Sequence, residues 1–504
     1  MGSVATLTLT GLGCQLAGFL FRILLTRMAG AEVLGLYQML LPVYAVLLSL
    51  TSAGLNTGVS NLSARYQAVG NLRAVHQVRG QAVKLFLLLA AGPCLILELC
   101  AGPISLLLLG DVRTRLGLRL LVPCLLLTGV ENLQKHYFYG AGRVTPAAVT
   151  ELLEQLLRTA LCLACLRLLH PATAEGAAAA AVLGMALCEA VSALTQTALF
   201  RICLGPRDRL AGRNQDPGAL RRQLGRIALP LGLSALLGNL LSSANALLIP
   251  RLLVRGGMDH GQAVSAYGVL FGMTLPMLMI PTAFLSALGL VLTPRLAGRA
   301  ALGDRAGIRR ESGEALEGMH LILLPAFALL AVFGPALARG LYSGGMGGPH
   351  WELLTLGVLF SCWHTLFACV LNGLDRQGTS AAIALLCDGL QLGLTLLLIP
   401  RRGLEGYVLS FTLTALLGAL LSGRAASRAS GLRVRIFPGV LAPVLGAGLA
   451  SAGGGLLETA LLRGGLDPFP AAAGGAVFGA LLVLSALGAM DVRLPRLLRA
   501  GKND

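Results

Sequence analysis

The sequence predicts an all-α, polytopic membrane protein of about fourteen transmembrane helices, and three observations predict it. Of 504 residues, 55% are hydrophobic and 12% charged, with a mean hydropathy of +0.76; soluble domains carry roughly 25% charge. Apolar stretches of about 20 residues, each able to cross a ~30 Å hydrocarbon core as a helix, recur from Leu7 to Met490. The 40 Lys and Arg fall between these stretches rather than on one surface, so the net charge of +17 reads as a topology signal and not as a nucleic-acid footprint.

The first span, 3–25, has no basic leader and no small-residue cleavage site, and reads as a retained helix rather than a signal peptide. Spans 36–62, 82–108, 117–140, 146–169 and 176–203 follow, then 223–251, 264–293, 314–341, 351–373, 378–400, 404–423, 436–460 and 470–490. Basic residues concentrate in alternate breaks: Arg65 to Lys84, Arg207 to Arg226, Arg295 to Arg310, Arg424 to Arg435, and the Arg493 to Lys502 tail. An even number of crossings puts both termini on that basic side, and the positive-inside rule makes it the cytoplasm. The 65 Gly suit helices that approach closely through small side chains. The 11 Cys show no paired ligand spacing, so no metal site is expected and buried thiols are. No cofactor is expected either: a Gly-rich phosphate loop followed by Lys is missing from the sequence, and no loop is long enough for a catalytic domain, so an enzyme is not expected.

The two halves resemble one another. Tyr37, Ala53 and Arg65 recur as Tyr267, Ala283 and Arg295 at an offset of 230, and Gly140, Arg143, Ala148, Leu152 and Leu153 as Gly373, Arg376, Ala381, Leu385 and Leu386 at 233. Six spans separate each pair, and an even number preserves orientation. This predicts a parallel repeat: a six-helix lobe with its linker over 1–222, a second over 223–430, and two additional helices with a tail over 431–504.

Ionisable residues at bilayer depth cost several kcal/mol unless they meet water or a partner, which makes them the candidate site. Arg22 lies late in the first span. Glu131 and Lys135 in the fourth, and Glu154 and Arg158 in the fifth, are four residues apart and share a helix face in each case. On the fifth span Glu154 and Arg158 form, with Glu151 and Gln155, a polar stripe between Leu pairs. The repeat sets Asp388 and Gln391 where Gln155 and Arg158 stand, so both lobes would present polar groups to one cavity. Asn245 and Arg251 add a donor and a cation. Arg22, Lys135, Arg158, Asn245 and Arg251 are the expected substrate-binding residues, because Arg and Lys suit an anionic head group. Glu131, Glu151, Glu154, Gln155, Asp388 and Gln391 are the expected coupling or cavity residues. Glu98 and Glu189 are single carboxylates with no evident partner.

The runs Gly18 to Leu25, Gly35-Leu36-Tyr37-Gln38, Pro42-Val43-Tyr44, Tyr137-Phe138, Thr145-Pro146, Glu154-Gln155 with Arg158, and Ile249-Pro250-Arg251 with Tyr267-Gly268 together resemble the stage V sporulation protein B family, over essentially the whole chain. That family belongs to the multidrug, oligosaccharidyl-lipid and polysaccharide flippase superfamily. The resemblance implies fourteen helices, alternating access, and a lipid-linked, undecaprenyl-pyrophosphate-type substrate moved across the cytoplasmic membrane for spore-cortex or envelope assembly, beside envelope-synthesis enzymes, with a cation gradient or the membrane potential as drive. It also implies that Arg22 is the family's first-helix arginine and that Lys135 stands where an arginine is usual. The alternatives are a cation-coupled multidrug exporter of the same superfamily, against which stand the count of fourteen spans, where such exporters usually have twelve, and the 5% aromatic share, and a membrane enzyme acting on lipid-linked glycans, against which stand the short outer loops.

Overall fold

The computed structural model describes residues 2–141, 144–204, 211–342, 351–432, 435 and 437–489; Arg143, Arg207 and the Arg493 to Lys502 tail lie outside them. The described chain is helical, with twelve helices long and apolar enough to cross a membrane. The difference from fourteen has two sources. Helix α1, Gly2–Leu48, continues into α2, Gly54–Ala68, as one apolar stretch, but Gly30 breaks α1 with φ 87° and ψ 169°, a conformation that glycine adopts without a Cβ penalty. Helix α5, Val144–Leu169, is 26 residues long, yet it carries Glu151, Glu154, Arg158 and Arg167 and is too charged to count by apolarity.

By compactness the chain groups as Leu9–Gly268 and Val269 onward; the lobes proposed from the repeat divide it by internal similarity instead. In the first unit, α3 (Leu72–Leu99), α4 (Arg115–Gly140), α5, α6 (Ala174–Leu204), α7 (Pro217–Arg255) and α8 (His260–Tyr267) follow α1 and α2. Helix α6 packs on both α4 and α5, and α2 packs on α7. Small residues set these approaches. A Cβ on Gly184 of α6 would stand 2.4 Å from the Cys162 Cα of α5, and one on Gly54 would stand 2.0 Å from the Ala228 carbonyl oxygen of α7. The Cys162 thiol donates to the Ala181 carbonyl at 3.1 Å, so this cysteine serves as a small residue at a tight crossing. One end of the unit gathers Glu32, Asp111, Arg113 and His260. The other end joins Tyr66 to Gln223 and Arg73 to Ala211.

The second unit holds α9 (Ala283–Ala301), α10 (Arg305–Leu341), α11 (Trp351–Gly373), α12 (Gln377–Arg402), α13 (Leu404–Ser430), α14 (Ala442–Arg463) and α15 (Pro468–Ala489). Helix α13 packs on α11 and α12, as α6 does on α4 and α5, and the α14–α15 hairpin packs on α10. The repeat shows at one contact in particular. A Cβ on Gly140 would meet the Ser60 backbone oxygen at 2.2 Å, and one on Gly373 would meet the Thr293 backbone oxygen at 2.9 Å; both members of this contact stand at the same offset of 233.

Candidate functional site

The two ion pairs written into α4 and α5 form, and helix packing joins them into one network. Lys135 Nζ donates to Glu131 Oε1 at 2.7 Å and to Glu154 Oε2 at 2.6 Å. Arg158 bonds Glu154 on its own helix and Glu189 Oε1 of α6 at 2.6 Å. Two hydroxyls add to the network: Ser192 donates to Glu131 Oε1, and Thr128 to Glu189 Oε2, both at 2.6 Å, while Glu131 Oε2 is buried with no hydrogen-bond partner among the described residues. Tyr44 donates in turn to Thr128 at 2.6 Å. Glu131 and Glu189 are each 1% exposed and Glu154 6%. Three carboxyl groups face two cations, so with all five ionised the network would carry one surplus negative charge. Oxygens of Glu131, Glu154 and Glu189 lie within 4.8 Å of one another, a spacing that can hold a cation, and Lys135 and Arg158 already bind them.

Glu189 is a correction to the sequence reading, which found it no partner. Its partner is on another helix, brought near by the close α5–α6 crossing at Gly184. Glu98 likewise meets Arg119 at 3.5 Å, half-exposed. The polar stripe of α5 also divides. Glu154 and Arg158 enter the network, while Glu151 is exposed, with Tyr139 3.5 Å away, and Gln155 is half-buried outside it.

The remaining predicted residues are spread out. Arg22 is half-buried on α1, with Nη1 3.3 Å from the Gly18 carbonyl. Asn245 is buried on α7. Arg251 stands near the end of α7, where it donates to the Leu106 carbonyl. Asp388 and Gln391 belong to the second unit and line a cavity of about 160 Å³ with His364, Ser361 and Thr414.

Solved structures share this fold. An inward-facing multidrug resistance MATE family transporter of the MOP superfamily matches with a TM-score of 0.67 and 15% identity, over 83% of this chain and 96% of that one. A MOP superfamily transporter from Pyrococcus furiosus Vc1 (DSM3638) matches with a TM-score of 0.59 and 15% identity, over 85% and 96%. The chain is therefore a multi-pass membrane protein with a MATE-like transporter fold. Residues 2–298 match the polysaccharide biosynthesis protein family, and the chain belongs to that family. It is 24% identical over 450 residues to stage V sporulation protein B of Bacillus subtilis (strain 168), covering 84% of this chain and 83% of that protein.

Proposed function

We propose that this protein carries a lipid-linked oligosaccharide or peptidoglycan precursor, on an undecaprenyl-pyrophosphate-type carrier, across the cytoplasmic membrane by alternating access, and supplies enzymes of spore-cortex or envelope assembly on the far side. The observation that carries the reading is the network of five ionisable groups inside an apolar helix bundle. Replacing such a network by packed apolar residues is commonly neutral or stabilising, so its presence at membrane depth points to a charged passenger. Family membership and likeness to stage V sporulation protein B support the substrate class.

In the arrangement seen here Lys135 and Arg158 are engaged by carboxylates. An incoming pyrophosphate competes for those cations, with Arg22 as a further cation on α1. The carboxylates it displaces then take up a positive charge, from a proton or a metal cation. Uptake of the anionic head group and of the driving cation thus favour one another, and the linkage is reciprocal. The chain works as a carrier and not as an enzyme. Its basic end, with both termini, faces the cytoplasm.

The test is reconstitution in liposomes with a fluorescent undecaprenyl-pyrophosphate-linked saccharide. Arg22→Ala and Arg158→Ala are each expected to slow translocation at least about tenfold, the worth of one charge-assisted contact. Unchanged rates in both variants refute the site.

A further inference from the structure

A second cationic site lies at the end of the first unit that holds Glu32 and Asp111. Arg251 and Arg255, on the last turns of α7, and His260, on the first turn of α8, line a cavity of about 350 Å³. The cavity is built rather than incidental. Segment 104–114 turns at Gly110 with φ 79°, and a Cβ there would lie 2.5 Å from Arg251 Nε; only glycine lets the guanidinium cross the loop and donate to the Leu106 carbonyl. His260 Nε2 donates to the Gly110 carbonyl at 2.9 Å and so fixes the opposite wall.

Charge is unbalanced in favour of an anion. Asp111 stands 3.6 Å from His260, but Arg113 already holds its carboxylate at 2.8 Å and bonds Glu32 at 2.6 Å. No carboxylate lines the cavity among the described residues. Arg251 is bonded to a carbonyl rather than a carboxylate. Beside these cations Leu106, Leu107 and Leu108 are exposed, Leu107 by 71%. Helix α7 has 39 residues, about 58 Å at 1.5 Å per residue, longer than a ~30 Å hydrocarbon core, so at least one of its ends stands outside that core. Cations at the interface next to exposed leucines suit a molecule with a phosphate at one end and hydrocarbon at the other.

We propose that this cavity binds the phosphate or pyrophosphate group of a membrane lipid whose chain lies along Leu106 to Leu108. Two sources share that chemistry: a lipid-linked saccharide and an anionic phospholipid. For the first, the inference rests on the transport reading above and makes the cavity the station that the head group occupies after crossing.

The test is native mass spectrometry of the full chain with undecaprenyl pyrophosphate, phosphatidylglycerol, and phosphate-free undecaprenol as control. Arg255→Gln is the first variant, since Arg255 is exposed and the fold survives its loss; Arg251→Gln is the second. Each is expected to weaken binding of the phosphate lipids about tenfold and to leave undecaprenol unchanged. Tighter binding of undecaprenyl pyrophosphate than of phosphatidylglycerol identifies the saccharide carrier as the occupant, and the reverse identifies the phospholipid. Unchanged binding of both in Arg255→Gln and Arg251→Gln overturns the proposal. Binding is read without transport, so that result leaves the carrier reading standing, whereas unchanged transport in Arg22→Ala and Arg158→Ala refutes the carrier reading and leaves this site standing.

Discussion

The trio α4, α5 and α6 and the trio α11, α12 and α13 are built alike and filled differently. At the offset of 233, Glu131 corresponds to His364, Glu154 to Cys387, Gln155 to Asp388, Arg158 to Gln391 and Glu189 to Ser422. In the first trio four of these positions, Glu131, Glu154, Arg158 and Glu189, join Lys135 in a five-membered ionic network, and Gln155 lies outside it. In the second, His364 Nδ1 lies 3.2 Å from the Gly418 carbonyl and 3.3 Å from Ser422 Oγ, beside a small polar cavity. One helical scaffold therefore packs with or without the buried charges. Packing of such a trio does not by itself require an ionic network.

That comparison can be broken by mutation. Arg158→Ala leaves Glu154 and Glu189 without their shared cation, and is expected to cost about 3–5 kcal/mol, read as the largest fall in melting temperature of the purified protein. Gln391→Ala at the matching position is expected to cost no more than about 1 kcal/mol. Equal losses would mean that the two trios are held together in the same way. Lys135→Met is expected to cost about 3 kcal/mol, and adding Glu131→Gln to recover part of it, because the surplus carboxylate is then gone. Simple addition of the two losses would show that the pair is not coupled.

Gly140→Ala and Gly373→Ala sharpen the likeness rather than the contrast. Each drives a Cβ against the backbone of a facing helix, for an expected loss of about 1–3 kcal/mol in either unit. A loss in one unit alone would break the structural repeat at that contact. Smallest of all, Glu151→Gln lies outside the network on an exposed face, and is expected to change stability by no more than about 0.5 kcal/mol.

How much of this was legible in the sequence follows from which interactions are local. Spans read well because hydropathy is a property of contiguous residues, and the i,i+4 spacing exposed Glu131–Lys135 and Glu154–Arg158 as pairs. Glu189 was misread because its partner lies on another helix. A signal was present all the same: a carboxylate in the Ala-rich apolar run of α6 demands a cation somewhere. The fusion of the two pairs through Lys135 to Glu154 depends on the α4, α5 and α6 packing that no spacing encodes. Arg113, bridging Glu32 and Asp111, escaped notice for the same reason, since Glu32 is remote in sequence. Arg251 was found as a cation, but its setting was not, because Gly110 and His260 reach it only through the folded loop.

In the proposed function, the surplus negative charge of three acids over two bases is what takes up the driving cation. Glu131→Gln removes that surplus while keeping the shape and an acceptor for Ser192. Gradient-driven accumulation of a fluorescent lipid-linked saccharide in liposomes, compared with exchange in the absence of any gradient, measures the effect directly. The account predicts that Glu131→Gln retains exchange and loses dependence on the imposed cation gradient. Native gradient dependence in that variant would contradict it.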